Sequence, residues 1–288
     1  MEHATYLIGS FCFSLNCPDG FELPLNFRQF QTVNREAVDF SYTLFIADQL
    51  PVLRGNSVFR RSDIEIFRDG ALESRYLFFS GSPEAYGVYR EESSRSASCF
   101  LCRKYLPFSP VDSVFTSLFA LERHLLRRRT LFLHCAALKV QEHALLLSGP
   151  SGIGKSTHAA LWERYENAEL INGDRILLQL SDNGWHTAGC PICGSSQICK
   201  NRELPVTSLV FLRQATTNSG MRLSAVRGVK ELVSQLTVNS WDTDFVAAAW
   251  ELAERFVLDV PTYEYSCNME KNAAETLKKI LEQNHGNI

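Results

Sequence analysis

The sequence predicts an α/β protein in two parts: a smaller β-rich N-terminal domain and a C-terminal α/β domain with a mixed sheet. In the first ~110 residues, short aromatic or alternating apolar runs are separated by turn signals. From about residue 131, apolar runs alternate with helical patterns, and hairpin signals lie between them. The predicted domains are therefore residues 1–110, a linking helix at 111–130, and residues 131–288.

Turn residues between strand-like runs indicate hairpins in the N-terminal domain. Ile64–Phe67 and Tyr76–Phe79 are apolar runs of this kind, and Arg68-Asp69-Gly70 lies between them. Because Asp-Gly between such runs is a strong hairpin signal, we expect a small antiparallel sheet here. The polar segment Glu91–Ser96 is predicted to be a loop.

The aromatic residues of these strands should mostly be buried, because aromatic side chains on alternating strands usually pack on one face. The residues concerned include Phe11, Phe13, Tyr76, Phe78 and Phe79. An edge strand of the same sheet can accept an extended peptide. We therefore expect this domain to recognise an acceptor or a partner.

The linking helix is predicted over about residues 110–128. Beyond it, the predicted strands cover residues 131–138, 144–148, 168–175, 176–180, 185–187, 206–212, 221–226 and 263–265. The predicted helices cover residues 157–165, 228–237, 245–257 and 273–283. Hairpins among crossover units favour a mixed sheet over a purely parallel one.

One stretch matches the G-x-x-x-x-G-K-[ST] pattern of a phosphate-binding loop, and a strand and a helix are predicted on its two sides. Gly152 and Gly154 allow a positive φ, so that backbone N–H groups can surround an anion. Lys155 can neutralise the β- and γ-phosphates, and the Ser156 hydroxyl can ligate Mg²⁺. Strand, loop and helix agree, which favours nucleotide binding over a glycine-rich turn that binds nothing. The predicted nucleotide-contacting residues are Gly149, Pro150, Ser151, Gly152, Ile153, Gly154, Lys155, Ser156 and Thr157.

A carboxylate follows the loop at a short spacing. Asp174 lies 18 positions after Ser156, a distance that accommodates a helix, a turn and a short strand. A right-handed crossover brings the end of that strand beside the loop. Asp174 can then hold Mg²⁺ or accept a proton from an attacking hydroxyl. The alternative is that Asp174 only caps a turn, since Asn-Gly-Asp is common in turns.

Three elements together resemble the catalytic domain of HPr kinase/phosphorylase: His134, the 149–157 loop and Asn172-Gly173-Asp174-Arg175. The wider fold group includes ATP-dependent phosphoenolpyruvate carboxykinase. The resemblance spans about residues 131–270, and Trp185–Asn201 is similar to a bacterial branch of HPr-kinase-like proteins. Some relatives of that branch phosphorylate a serine on a ribosomally made peptide.

The resemblance implies ATP at the loop, Mg²⁺ at Ser156 and Asp174, and phosphorylation of a hydroxyl with Asp174 as the base. The resemblance also implies that His134 lies near the transferred phosphate. From the residues alone, a histidine buried in the core is the simpler interpretation. Arg175 either stabilises the transferring charge or only forms an ion pair.

The sequence departs from the family at two points. The family usually has two adjacent aspartates, and here Gly173 stands in the first position. The Arg-Gly-rich signature with which HPr kinases engage their substrate has no counterpart, so HPr is not the expected acceptor. Three further cations are weaker candidates for phosphate contacts: Lys200, Arg202 and Arg213.

Composition excludes several classes of partner. A net charge of −3 gives no electrostatic case for binding nucleic acid or an anionic membrane. No apolar stretch reaches the ~18 residues of a transmembrane helix, and no secretory signal is evident, so a cytoplasmic location is expected. The nine cysteines are then expected as free thiols. A metal at Cys190, Cys193 and Cys199 remains an alternative, whereas Cys99 and Cys102 should point to opposite faces of a strand.

These patterns predict an ATP-dependent kinase that acts on a hydroxyl of a peptide, protein or small molecule. The alternative is an ATP-binding regulatory module with little turnover, which the missing second aspartate favours. The identity of the acceptor and the oligomeric state stay open at this point.

Overall fold

The computed structural model describes residues 1–33 and 37–285. The chain divides into two compact units, Met1–His124 and Leu125–Ile288. Each unit has its own mixed sheet, so the protein belongs to the α/β class.

The N-terminal unit is a nine-stranded sheet in the order β3-β1-β2-β4-β9-β8-β7-β6-β5. Its strands are β1 Glu2–Ile8, β2 Phe11–Cys17, β3 Gln31–Thr32, β4 Phe40–Ala47, β5 Asn56–Arg60, β6 Ile64–Asp69, β7 Leu72–Phe78, β8 Ala85–Ser93 and β9 Ser96–Cys102. Its short helices are α1 Leu25–Arg28 and α2 Asp112–Ser117, and α3 Leu121–Leu126 begins in this unit.

The prediction of a small antiparallel sheet was wrong in size and in strand direction. β4 pairs in parallel with β2 and with β9, while β5 to β9 form antiparallel hairpins. Asp-Gly turns report only neighbouring antiparallel strands, because parallel partners are separated by long connections that leave no local signal. The segment 91–96 is not a loop either, since Ser93 and Ser96 pair across a tight turn between β8 and β9.

The aromatic core of this unit lies on one face of the sheet. Phe11, Phe13 and Tyr42 are buried there, and the rings of Phe13 and Tyr42 meet edge to face at 5.2 Å. Tyr76 and Phe78 lie on the opposite face and are half-buried. The prediction that these aromatic side chains are buried therefore holds for Phe11 and Phe13 in β2, and it does not hold for Tyr76 and Phe78 in β7.

The predicted helix over residues 110–128 is broken into α2 and α3. Ala120 takes a left-handed conformation at φ 47°, which ends the first helix before the second begins. The carbonyl groups freed by this break find partners in the sheet. Tyr42 Oη donates to the Phe119 carbonyl at 2.8 Å, and Cys99 Sγ donates to the Leu118 carbonyl at 2.9 Å. Apolar periodicity alone does not reveal such a break.

The C-terminal unit is built on an eight-stranded mixed sheet. Its strands are β10 Thr130–Val140, β11 His143–Ser148, β12 Glu169–Asn172, β13 Arg175–Ser181, β14 Gly184–Ala188, β15 Leu204–Gln214, β16 Ser219–Arg222 and β17 Thr262–Cys267. Its helices are α4 Lys155–Tyr165, α5 Ala225–Gln235, α6 Thr243–Asp259 and α7 Lys271–His285. The strand order is β11-β10-β13-β14-β15-β17-β16, and β11 also pairs in parallel with β15, so five strands close into a ring.

β10 is buried on both faces, which explains its nearly continuous apolar sequence. Leu133 and Cys135 contribute to a core cluster that includes residues of α5 and α6. Ala136 and Leu138 contribute to a second cluster with Trp162 and residues of α7. The strand therefore joins the two cores of this unit.

The cysteines of the described residues are all free thiols. Cys99 is buried and Cys102 is half-buried on the other face of β9, as the alternation predicts. Cys190, Cys193 and Cys199 are buried, and no group of three or more metal-ligating side chains occurs in residues 1–33 and 37–285. No helix in that part of the chain has the length and apolarity needed to cross a membrane.

A buried histidine makes the stability of the C-terminal unit depend on pH. His158 in α4 is fully buried, and its ring meets Tyr265 edge to face at 5.7 Å. Neither ring nitrogen has a hydrogen-bond partner among the described residues. Burial lowers the pKa of His158 to about 4.

We predict that the free energy of unfolding falls as the pH drops from 7 to 4. In this range His158 becomes protonated in the unfolded chain, whereas burial keeps it neutral in the folded unit. The loss is about 3 kcal/mol for a shift from 6.5 to about 4. Urea unfolding followed by tryptophan fluorescence measures it, since all four tryptophans lie in residues 125–288. His158→Leu should remove this part of the pH dependence, and the exposed control His3→Gln should keep it. Equal pH slopes in wild type and His158→Leu would contradict the prediction.

Candidate functional site

The backbone between β11 and α4 has the shape of an anion-binding loop. Gly149, Gly152 and Gly154 have positive φ values of 139°, 78° and 109°. Gly154 is the N-cap of α4 and carries no side chain that could occupy the helix N–H groups. Ser156 and Thr157 are exposed in the first turn. These N–H groups and hydroxyls, together with the helix dipole, suit an anion.

Lys155 is held inside this loop. Its side chain is 7% exposed, and Nζ donates to the carbonyls of Gly149 at 2.8 Å and Pro150 at 3.1 Å. Burial lowers the pKa of Lys155, while Cys135 and Asp174 act in the opposite direction. The loop therefore contains a preorganised positive charge close enough to Asp174 for the two charges to interact.

Asp174 lies at the same edge of the sheet as the loop. β11 and β12 are both antiparallel to β10, so the two strands run parallel to each other and end at one edge. Asp174 follows β12, and its carbonyl accepts a hydrogen bond from the Cys135 N–H at 3.0 Å. In β10 the same Cys135 is paired with Ser148, the last residue before the loop. The crossover geometry thus places Asp174 beside the 149–157 loop.

His134 and Arg175 flank the Asp174 carboxylate on neighbouring strands. His134 Nε2 lies 3.6 Å from Asp174 Oδ1, and Arg175 Nε lies 3.7 Å from Oδ2. Arg175 Nη1 also donates to Thr237 Oγ1 at 2.6 Å. Burial, and then the charge of Lys155, lowers the pKa of His134, with Arg175 adding to this and Asp174 opposing it. The imidazole is therefore neutral at pH 7 and can accept a proton or a hydrogen bond.

Other predicted cations are engaged elsewhere. Arg213 pairs with Glu231 at 2.6 Å and with Glu264 at 3.3 Å. Lys200 and Arg202 both pair with Glu169, at 2.8 and 2.9 Å. His134, Lys155, Asp174 and Arg175 are thus the ionisable groups that lie around the Asp174 corner of the loop.

Several residues around the loop carried no sequence signal. The side chain of Met269 lies where a Cβ of Gly154 would be, and Gln214 Nε2 donates to the Gly152 carbonyl at 3.3 Å. Thr237, the partner of Arg175, belongs to no motif. Asn172 is part of the Asn172–Arg175 motif and of a turn sequence, and neither indicates the four hydrogen bonds of its side chain. Contacts between segments far apart in sequence have no local pattern that could reveal them.

The oxygen ligands at this corner fit a magnesium ion bound together with phosphates. Mg²⁺ usually takes one or two protein oxygens and fills its remaining positions with water and substrate phosphates. The Asp174 carboxylate and the Ser156 hydroxyl are ligands of this kind.

No family model matches the chain, and no curated protein is similar in sequence. Among solved structures, the HPr(Ser) kinase/phosphatase from Coxiella burnetii aligns with 54% of this chain and 89% of its own, at 14% identity and a TM-score of 0.31. This is a distant structural resemblance.

The space beside Gly173 is filled by another segment. A Cβ at Gly173 would lie against Ser196, 2.6 Å from its Cβ and closer still to Oγ. Ser196 Oγ donates to the Cys193 carbonyl at 2.7 Å, so it is fixed in place. A side chain at position 173 requires this segment to move.

We predict that Gly173→Ala destabilises the C-terminal unit by about 1–3 kcal/mol, the usual cost of overpacking. Urea unfolding followed by tryptophan fluorescence measures the loss. Ser196→Gly has its own cost, because it removes two hydrogen bonds, but it also removes the obstructing side chain. The double variant Gly173→Ala/Ser196→Gly should therefore lose less stability than the sum of the two single losses. The prediction is wrong if Gly173→Ala is as stable as wild type, or if the two losses simply add.

Proposed function

We propose that this protein is an ATP-dependent kinase that transfers the γ-phosphate to a hydroxyl of a peptide, a protein or a small molecule. One observation carries the proposal. Lys155, inside a loop of positive-φ glycines, and the Asp174 carboxylate flank the same point of β10, beside the neutral imidazole of His134. Phosphoryl transfer needs this combination of a phosphate cradle, a positive charge and a group that orients the acceptor.

The phosphate loop would hold ATP through its backbone. The N–H groups of residues 149 and 151–157 face the β- and γ-phosphates in this proposal, and the α4 dipole adds to their effect. Lys155 Nζ exchanges its two carbonyl acceptors for phosphate oxygens, which are stronger acceptors for an ammonium group. Mg²⁺, held by Ser156 and Asp174, would neutralise charge on the phosphates.

The acceptor hydroxyl would approach from the side of Asp174. Its oxygen attacks the γ-phosphorus, the bond to the β–γ bridging oxygen breaks, and ADP leaves. Asp174 accepts the hydroxyl proton, and neutral His134 3.6 Å away can hydrogen-bond the transferring group. Arg175, fixed by Thr237, supplies positive charge where negative charge is spread over the phosphoryl oxygens.

A second candidate is an ATP-binding regulatory module with little turnover. It is favoured by Gly173, which leaves Asp174 as the carboxylate for both metal binding and proton transfer. The two candidates differ in one measurable property. A kinase transfers γ-phosphate to an acceptor faster than it hydrolyses ATP, and a regulatory module does not.

Lys155→Ala should weaken the affinity for Mg·ATP by about 10- to 100-fold, because a hydrogen-bonded charge inside the loop is lost. Isothermal titration calorimetry of the full chain measures the affinity. Lys200→Ala is the matched control, since Lys200 is paired with Glu169 outside the loop and its loss should leave affinity unchanged. Equal affinity of wild type and Lys155→Ala would remove the phosphate loop from the proposal.

Asp174→Asn should lower the rate of γ-phosphate transfer on the order of 100-fold, the range expected when acid–base assistance is lost. Transfer is measured with γ-labelled ATP and serine-containing peptides, and nucleotide affinity is measured in parallel and should change far less. Asp182→Asn serves as the control, because Asp182 is exposed in the turn between β13 and β14. A variant at position 174 with normal transfer would show that this aspartate only caps a turn.

We assign recognition of the acceptor to the N-terminal sheet, whose edge strand β5 is largely exposed. Residues 125–288 expressed by themselves should bind ATP as the full chain does, whereas transfer to a peptide should require residues 1–124 as well. Titration and transfer assays on each half, after melting scans show that each half is folded, measure both properties. Full transfer by residues 125–288 would refute this assignment.

A further inference from the structure

Asn172 links two segments of the C-terminal unit through one buried amide. Its side chain is fully buried at the end of β12. Oδ1 accepts hydrogen bonds from the N–H groups of Asp174 at 2.8 Å and Arg175 at 2.9 Å. Nδ2 donates to the carbonyls of Cys190 at 3.1 Å and Ile192 at 3.0 Å. All four bonding positions of the amide are therefore used, and they face two different segments.

The second segment, residues 190–199, here called the 190–199 loop, contains no charged residue. Two backbone hydrogen bonds, one on each side of Asn172, also hold this loop. The Gly173 N–H donates to the Ile198 carbonyl at 3.4 Å, and the Lys200 N–H donates to the Ile171 carbonyl at 2.8 Å. Within the loop, Ser196 Oγ accepts a bond from the Ile198 N–H. The loop is thus fixed onto the strand end that precedes Asp174.

The same loop lies directly against the Asp174 carboxylate. A Cβ at Gly194 would be 2.8 Å from Asp174 Cβ, 3.0 Å from Cγ and 3.2 Å from Oδ1. Gly194 has φ 58°, and the absence of its side chain is what allows this approach. Gly194 and Ser195 are exposed, so the carboxylate has the loop on one side and solvent beyond it.

Only an amide can serve both segments. The Asp174 and Arg175 N–H groups need an acceptor, and the Cys190 and Ile192 carbonyls need a donor. An aspartate at position 172 would keep the acceptor and turn its second oxygen towards two carbonyl oxygens. Because the two carbonyl groups are held against a buried side chain, the loss of the Nδ2 donor leaves both without this hydrogen bond, and the new carboxylate oxygen repels them.

We propose that Asn172 is a positioning residue that couples the 190–199 loop to Asp174, so that the loop holds the carboxylate in the orientation needed to meet the acceptor hydroxyl. The proposal rests on the kinase function given above and names a determinant of that site. It makes the loop, with Gly194 at the contact, one wall of the acceptor pocket.

The experiment compares two variants with two matched controls in the full chain. Asn172→Asp removes the donor to the loop and keeps the acceptor for Asp174 and Arg175. Gly194→Ala places a methyl group against Asp174. Asn183→Asp and Gly184→Ala make the same changes in the exposed β13–β14 turn, where Gly184 also has a positive φ of 97° and no atom within 4 Å of a Cβ.

Hydrogen exchange measured by mass spectrometry tests the link itself. In Asn172→Asp, peptides covering residues 190–200 should exchange faster, while residues 173–176 keep their protection because the acceptor remains. Asn183→Asp should leave both segments unchanged. Unchanged exchange of the 190–199 loop in Asn172→Asp overturns the proposal.

Steady-state kinetics separates positioning from a purely structural role. The kcat of both variants should fall about 10- to 100-fold, because a small displacement of a catalytic group has effects of this size, while the KM for ATP stays within about twofold. The controls should keep the wild-type kcat. A loop that loosens with no change in kcat shows that Asn172 is only structural.

Melting temperatures test the coupling without any activity. If the two variants act on one contact, the double variant Asn172→Asp/Gly194→Ala should lose less than the sum of the single losses, since the loosened loop no longer presses on Asp174. Losses that simply add overturn the coupling. If the wild-type protein transfers no phosphate, the proposed function fails, and the exchange and melting results still decide whether the loop and Asp174 are coupled.

Discussion

The arrangement of the C-terminal unit depends on one strand, β10, which is buried on both faces and bonded along both edges. At Cys135, one edge pairs with Ser148 and so fixes the start of the 149–157 loop. On the other edge, the Cys135 N–H binds the Asp174 carbonyl, and His134 pairs with Arg175. The 149–157 loop and the Asp174–Arg175 segment therefore lie on opposite edges of β10, next to the neighbouring residues His134 and Cys135. A register shift of β10 would separate them, because both depend on which residue of β10 they pair with.

The electrostatics of the site follows from this placement. One carboxylate, Asp174, lies among a buried ammonium, a guanidinium and an imidazole that burial keeps neutral. The site has an excess of positive charge, which suits phosphate groups. Gly173 contributes no second carboxylate, and Ser196 occupies the space beside it. The 190–199 loop takes up that space and contacts the remaining aspartate through Gly194.

The sequence predicted the features that depend on local chemistry. The positive-φ glycines of the 149–157 loop and the helix that follows it have short-range signals, and the role of Asp174 stays a prediction. The parallel pairs of β4, the break at Ala120 and the two bonds that Asn172 Nδ2 donates do not, because each depends on groups far away in sequence. Asn172 lies in a motif that also suits an ordinary turn, so only the positions of Cys190 and Ile192 reveal its second role.

The most direct test is a crystal structure of the full chain with Mg²⁺ and a non-hydrolysable ATP analogue. We expect the β- and γ-phosphates inside the 149–156 loop, with Lys155 Nζ moved from the carbonyls of Gly149 and Pro150 to phosphate oxygens. We also expect the metal between Ser156 Oγ and the Asp174 carboxylate. An analogue bound away from the loop, with Lys155 still on its two carbonyls, would contradict a phosphoryl-transfer site at this corner.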